Sequence, residues 1–170
     1  MAIAYNFIAS SIVGSGGTAT VTFSSIAGTY TDLFIKISAR TDRASTNDYF
    51  SMKFNSNALN YTDMSIYSNG SAALSETGNS TTVAFMFAVP GASNTASTFG
   101  NADIYIPNYA SANYKSVSSD AVIENNATAA IAALNANLWS NTAAITSVSF
   151  TAIGSFIQYS NFYLYGINKS

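Results

Sequence analysis

Leu33-Phe34-Ile35-Lys36-Ile37-Ser38-Ala39-Arg40 is the stretch on which the fold reading turns. Leu33, Ile35, Ile37 and Ala39 alternate with Phe34, Lys36, Ser38 and Arg40, so one face of an extended chain is apolar while the other is mixed. A helix would scatter those four apolar residues around its circumference. The same period of two recurs on both sides: Ala19, Val21 and Phe23 alternate with Thr20 and Thr22, and Phe50, Met52 and Phe54 with Ser51 and Lys53. Val83 to Val89 is apolar at both phases, which predicts a strand placed centrally or beneath a partner. Further short strands are expected around Ile104 and Ile106, at Val117, at Val148 with Phe150, and in the closing run Phe162 to Ile167.

Turn signals separate these runs at Gly14 to Gly17, Asn69-Gly70, Gly78-Asn79 and Pro90-Gly91. Asn69-Gly70 is the best hairpin candidate, because a type I′ turn needs positive φ at both central residues. With Ile3, Tyr5 and Phe7 at the start, about eight to ten strands are expected. In 170 residues with no linker or repeat, that count predicts one all-β domain: a two-sheet antiparallel β-sandwich, jelly-roll-like. One segment departs from the pattern. Ala127 to Leu138 is Ala-rich, with Ile131, Leu134 and Leu138 at helical spacing and Asn126 before it as a cap, which predicts one short helix over a sandwich edge. Residues 1–17 read as an edge strand or an N-terminal arm; the run lacks a basic start and Asn6 interrupts it, unlike a signal peptide.

Composition narrows the chemistry. The chain has no Cys and no His, which excludes disulfides, thiolate metal sites, imidazole ligands and a Ser-His-Asp triad. Six basic against eight acidic residues are too few and too dispersed for a nucleic-acid surface. No apolar run is long enough to suggest a membrane-spanning helix. The eight carboxylates form no recognisable glycosidase pair, no Ser sits in a nucleophile elbow, and Gly14 to Gly17 lacks the Lys of a phosphate loop. The expectation is a protein that is not an enzyme and takes no cofactor.

Only 8% of residues are charged, against about 25% in a typical soluble domain, while Ser, Thr and Asn fill roughly a third of the chain. Such a surface can be covered by neighbours without stripping water from ions. The densest charge lies in 40–48, with Arg40, Asp42, Arg43 and Asp48: either a partner-facing ion-pair loop or an ordinary solvated connection. Tyrosine is abundant, and Tyr105, Tyr109 and Tyr114 read as outward-facing interface candidates, the alternative being a second sheet's core.

Three stretches carry a family resemblance in chain order. Ser24-Ser25-Ile26-Ala27-Gly28-Thr29-Tyr30-Thr31-Asp32-Leu33 resembles the opening of small virion proteins of marine and freshwater tailed bacteriophages, with Ala27 where their pattern has Pro. Ile106-Pro107-Asn108-Tyr109 followed by Tyr114-Lys115 resembles their middle segment. Leu138 to Ser147 and Leu164-Tyr165-Gly166-Ile167 resemble their ending. The resemblance implies a jelly-roll structural protein on the outer surface of the phage head: a capsid decoration or cement protein, assembling as a homotrimer on the major capsid protein. The alternative expectation is a tail-fibre or baseplate module that recognises host surface glycans.

Overall fold

The computed structural model describes residues 4–78, 82–126 and 130–168. Twelve strands are found among them: β1 (Ala4–Ile12), β2 (Thr18–Phe23), β3 (Asp32–Ala39), β4 (Asn47–Phe54), β5 (Tyr61–Ser68), β6 (Ala73–Gly78), β7 (Ala84–Pro90), β8 (Gly100–Ile106), β9 (Lys115–Ile123), β10 (Ile131–Trp139), β11 (Val148–Phe156) and β12 (Asn161–Asn168). They form two antiparallel sheets packed as a sandwich. The larger runs β1-β12-β3-β8-β9-β10-β5-β6 and the smaller β2-β11-β4-β7.

The expected jelly-roll connectivity is visible once two hairpins are set aside. Without β5–β6 and β9–β10, two four-stranded sheets remain, β1-β12-β3-β8 and β2-β11-β4-β7, and the chain crosses between them at every connection except β4 to β7, as in two Greek keys. Both hairpins add to the same edge, beyond β8. β9–β10 pairs with β8 directly, and β5–β6 follows on β10. The larger sheet therefore extends past the smaller one.

Alternation does its work strand by strand. Leu33, Ile35, Ile37 and Ala39 of β3 all point into the core, as do Val21 and Phe23 of β2 and Phe50, Met52 and Phe54 of β4. Aromatic rings fill the middle: Phe156 lies edge-on to Phe162 at 5.0 Å, and Phe54 packs on Trp139 at 5.4 Å. Each such side chain contributes about 1.5–3 kcal/mol through burial, so this layer is the main hold between the sheets.

Two sequence expectations need correction. The helix over Ala127 to Leu138 does not form: Ile131–Trp139 is β10, paired on both sides with β9 and β5, while residues 127–129 lie outside the described residues. Of the two placements expected for the strand within Val83 to Val89, the second is found: β7 is an edge of the smaller sheet and packs beneath β9 and β10. Asn69-Gly70 does sit in a hairpin, between β5 and β6, but the connection is four residues long. Gly70 has φ 86°, whereas Asn69 instead accepts the amides of Ser71 and Ala72 on its side chain. The N-terminal run is an edge strand: β1 pairs with β12 along its length, with a bulge between Phe7 and Ala9.

Candidate interaction surface

Each end of the sandwich is laced by one buried cation. At the end where β3 begins, the three stretches that carry the family resemblance meet. Lys115 opens β9 in the inward phase and is fully buried. Its ammonium donates to the carbonyls of Asn113 (2.5 Å), Ser111 (2.8 Å) and Ala143 (3.0 Å), with Asn141 at 3.4 Å, and it faces the Trp139 ring at 5.8 Å. No carboxylate among the described residues pairs with it, and burial lowers its pKa from the ordinary lysine value. Tyr109, fully buried, donates its hydroxyl to the Ala27 carbonyl and accepts the Tyr30 amide at 3.3 Å. Asp32 accepts the Tyr105 hydroxyl and the Asn108 amide, both at 2.8 Å. Burial and that bond to Asp32 push the Tyr105 phenol up to about 12. Segments 26–32, 107–115 and 141–146 are thus knitted into one end wall.

The opposite end holds the charged loop. Arg40 is buried, and its guanidinium donates to the carbonyls of Thr95 (2.6 Å), Thr98 (3.0 Å), Asn94 (3.0 Å) and Ala92 (3.3 Å), and to the Thr98 hydroxyl (3.1 Å). The flat fork of Arg suits a ring of carbonyls contributed by one loop. Asp48 is also fully buried. It accepts the Tyr49 and Gly154 amides and pairs with Arg43 at 3.3 Å. Asp42 is exposed yet accepts the Ser155 amide at 2.7 Å. A Cβ at Gly154 would lie 2.7 Å from the Asp42 carboxylate and 3.0 Å from the Arg43 backbone, so a larger residue there would displace the Asp42 side chain.

These geometries revise the interface candidates. Arg40, Asp48 and Tyr109 are interior residues whose bonds hold loops to the sandwich, and they present nothing to a partner in this structure. Two of the loop's four ions, Arg40 and Asp48, are turned inward. Asp42 and Arg43 remain reachable, Tyr105 is half-buried on the sheet's outer face, and Tyr114 is 60% exposed. Sequence reasoning missed Lys115 as a structural cation, although the phase of Val117, Ser119, Ala121 and Ile123 points it inward. It also missed a polar seam inside: Asn135 donates to Ser119 at 3.2 Å, while the amide of Asn137 and the indole N–H of Trp139 are buried without partners.

The outer face of the large sheet is the accessible surface of consequence. At the β1-β12-β3 end, Tyr5, Phe7, Phe34 and Tyr165 form an aromatic group; Tyr5 meets Phe34 edge-on at 5.5 Å, and Lys36 lies over Phe34 at 5.1 Å. Tyr5, Phe34, Lys36 and Tyr165 line a hollow of about 300 Å³. Charge sits mid-face, where Lys36 pairs with Asp103 at 2.6 Å and Asp103 lies in register with Asp120. Burial, and then the neighbouring Asp103, raise the Asp120 pKa above the ordinary carboxylate value. At the hairpin end the face turns aliphatic, with Met64 and Ile66 on β5, Val122 on β9 and Leu134 on β10. No group of three or more acidic side chains that could hold a metal ion is found among the described residues. No family model, curated protein or solved structure matches the chain.

Proposed function

We propose that this chain is a structural virion protein that decorates the outer surface of a bacteriophage head as a homotrimer bound to the major capsid protein. The observation that carries the reading is the broad, charge-poor outer face of a jelly-roll-like sandwich, in which only Lys36, Asp103 and Asp120 bring charge onto the central strands. The ordered sequence resemblance supplies the virion context. Covering such a face costs little desolvation of ions, and every contact made only in the assembled shell stabilises that shell by mass action. In this reading the protein is not a catalyst and takes no cofactor. Gold-labelled antibody on intact virions, viewed by electron microscopy, is the test: label spread over heads supports decoration, and virions without head label refute it.

A second reading, recognition of host surface glycans by a tail module, draws on the aromatic hollow beside Lys36. Aromatic faces with polar tips suit ligands that are apolar on one side and hydroxylated on the other. Titration with host polysaccharide, repeated on Tyr5→Ala, tests it: saturable binding lost in the variant favours recognition, and no binding removes it.

A further inference from the structure

The two hairpins appended to the jelly roll leave a strip of sheet, β9-β10-β5-β6, whose outer face none of the described residues covers. At its middle Leu134 and Ile66 are direct register partners, 53% and 57% exposed, with Met64 beside them at 57% and Val122 at 40%. In a strand pair one face is ordinarily polar when it meets water. Here the apolar side chains point out, while the inward positions of the same strand include Asn135 and Asn137. Beside Leu134 the small side chain of Ala132 leaves a hollow of about 420 Å³, bounded by Ile66, Ser68, Asp120 and Val122. β6 is exposed on both faces up to Gly78 and forms the open edge of the sheet, with neither Lys nor Pro to guard it.

We infer that this strip is a two-fold contact with a second copy of the same chain, the Leu134 and Ile66 side chains of each copy packing into the hollow at Ala132 of the other. Self-docking meets no charge on three of the four strands: the outward positions are Thr62, Met64, Ile66 and Ser68 on β5, Ala132, Leu134 and Ala136 on β10, and Ala73, Ser75 and Thr77 on β6. The one outward charge of the strip is Asp120 on β9, in register with Leu134 and lining the same hollow. Area fits as well. Four strands about 4.8 Å apart, rising about 3.3 Å per residue, make a strip of roughly 500 Å², and two such faces reach about 1,000 Å², the threshold for a specific contact. A two-fold contact cannot close a ring of three, so it joins copies that belong to neighbouring trimers. This contact rests on the self-assembling part of the reading above and is independent of where on a virion the protein sits.

The chain's lack of Cys makes the test clean. Leu134→Cys places the same position of both copies near the proposed axis, whereas Ile153→Cys puts a thiol on an exposed position of the smaller sheet. With a short bis-maleimide, Leu134→Cys is expected to give covalent dimers roughly tenfold or more faster than Ile153→Cys, because a docked pair has a high effective concentration. Leu134→Lys, folded by circular dichroism, is expected to leave the trimer as the largest species in sedimentation velocity, where the parent chain forms larger ones. Equal cross-linking of the two Cys variants, or unchanged sedimentation of Leu134→Lys, overturns the contact. Either result leaves decoration untouched; virions without label alongside rapid Leu134→Cys dimerisation would sink decoration and keep the contact.

Discussion

Replacing Lys115 with Met keeps the length and apolar stem of the side chain and removes only its ammonium, which makes it the sharpest probe of the knitted end. The ammonium has three N–H donors, so the carbonyls at 2.5, 2.8 and 3.0 Å take one each and Asn141 at 3.4 Å is the long contact. A hydrogen bond to a charged group is worth about 1.5–3 kcal/mol net, so three amount to roughly 5–9 kcal/mol. The three carbonyls lie in loops at one end of the sandwich, where water takes over part of what the ammonium supplied. The balance is a loss of about 3 kcal/mol, or about 6–12 °C in Tm for a domain of this size. Urea unfolding of both proteins followed by circular dichroism measures it, with Lys36→Met as the reference, since its exposed pair with Asp103 is worth about 1 kcal/mol or less. Hydrogen exchange should also show 107–114 and 140–147 opening first in Lys115→Met. If that variant unfolds within 1 kcal/mol of the parent at an unchanged urea slope, the carbonyls do not depend on the ammonium and the argument fails.

Two further outcomes follow from interior polar groups. Asn137→Leu should be neutral or stabilising by about 1–2 kcal/mol in the same urea assay, because neither atom of its buried amide has a partner and an apolar side chain of similar volume removes that penalty; a clear loss would mean that the seam is satisfied by something unseen here. Stability should fall as pH rises above 10: Tyr105 has a folded pKa raised to about 12, so its contribution is whole below the unfolded value near 10 and is lost as pH climbs through 12. Tyr61 and Tyr109, also raised by burial, act in the same direction and Lys115, lowered, in the opposite one. Tyr105→Phe should flatten the decline in urea midpoints between pH 9 and 11.5, and an unchanged slope would refute the assignment.

What could be read from the sequence followed from where burial is one-sided. β3 satisfies the simple rule, apolar in and mixed out, and its period decided the fold class. β10 breaks that rule twice, with Asn135 and Asn137 facing in and Leu134 facing out, so its apolar residues fell at intervals that mimic a helix and its alanines reinforced the mimicry. Pairing on both sides, with β9 and β5, overrode local propensity. Burial within the charged loop is not legible for a related reason: loops are expected to be solvated, but Arg40 and Asp48 take inward positions at strand ends, where backbone carbonyls and amides satisfy them. Spacing leaves Tyr109 open between outer face and core, because sequence does not register that the wall between 26–32 and 141–146 needs a filler with a hydroxyl on its tip.

The order in which the hairpins add to the sheet has a consequence for synthesis. β5–β6 has no seat until β10 exists, yet roughly 70 residues separate the start of β5 from the start of β10. At about 5–20 residues per second, Met64 and Ile66 leave the ribosome several seconds before the strand they pair beside. During that interval the hairpin has two open edges and an apolar face, on a chain that is still tethered and isolated from its siblings. Aggregation of this protein at high expression should therefore originate in the nascent chain, and slowing its production is the remedy the topology recommends.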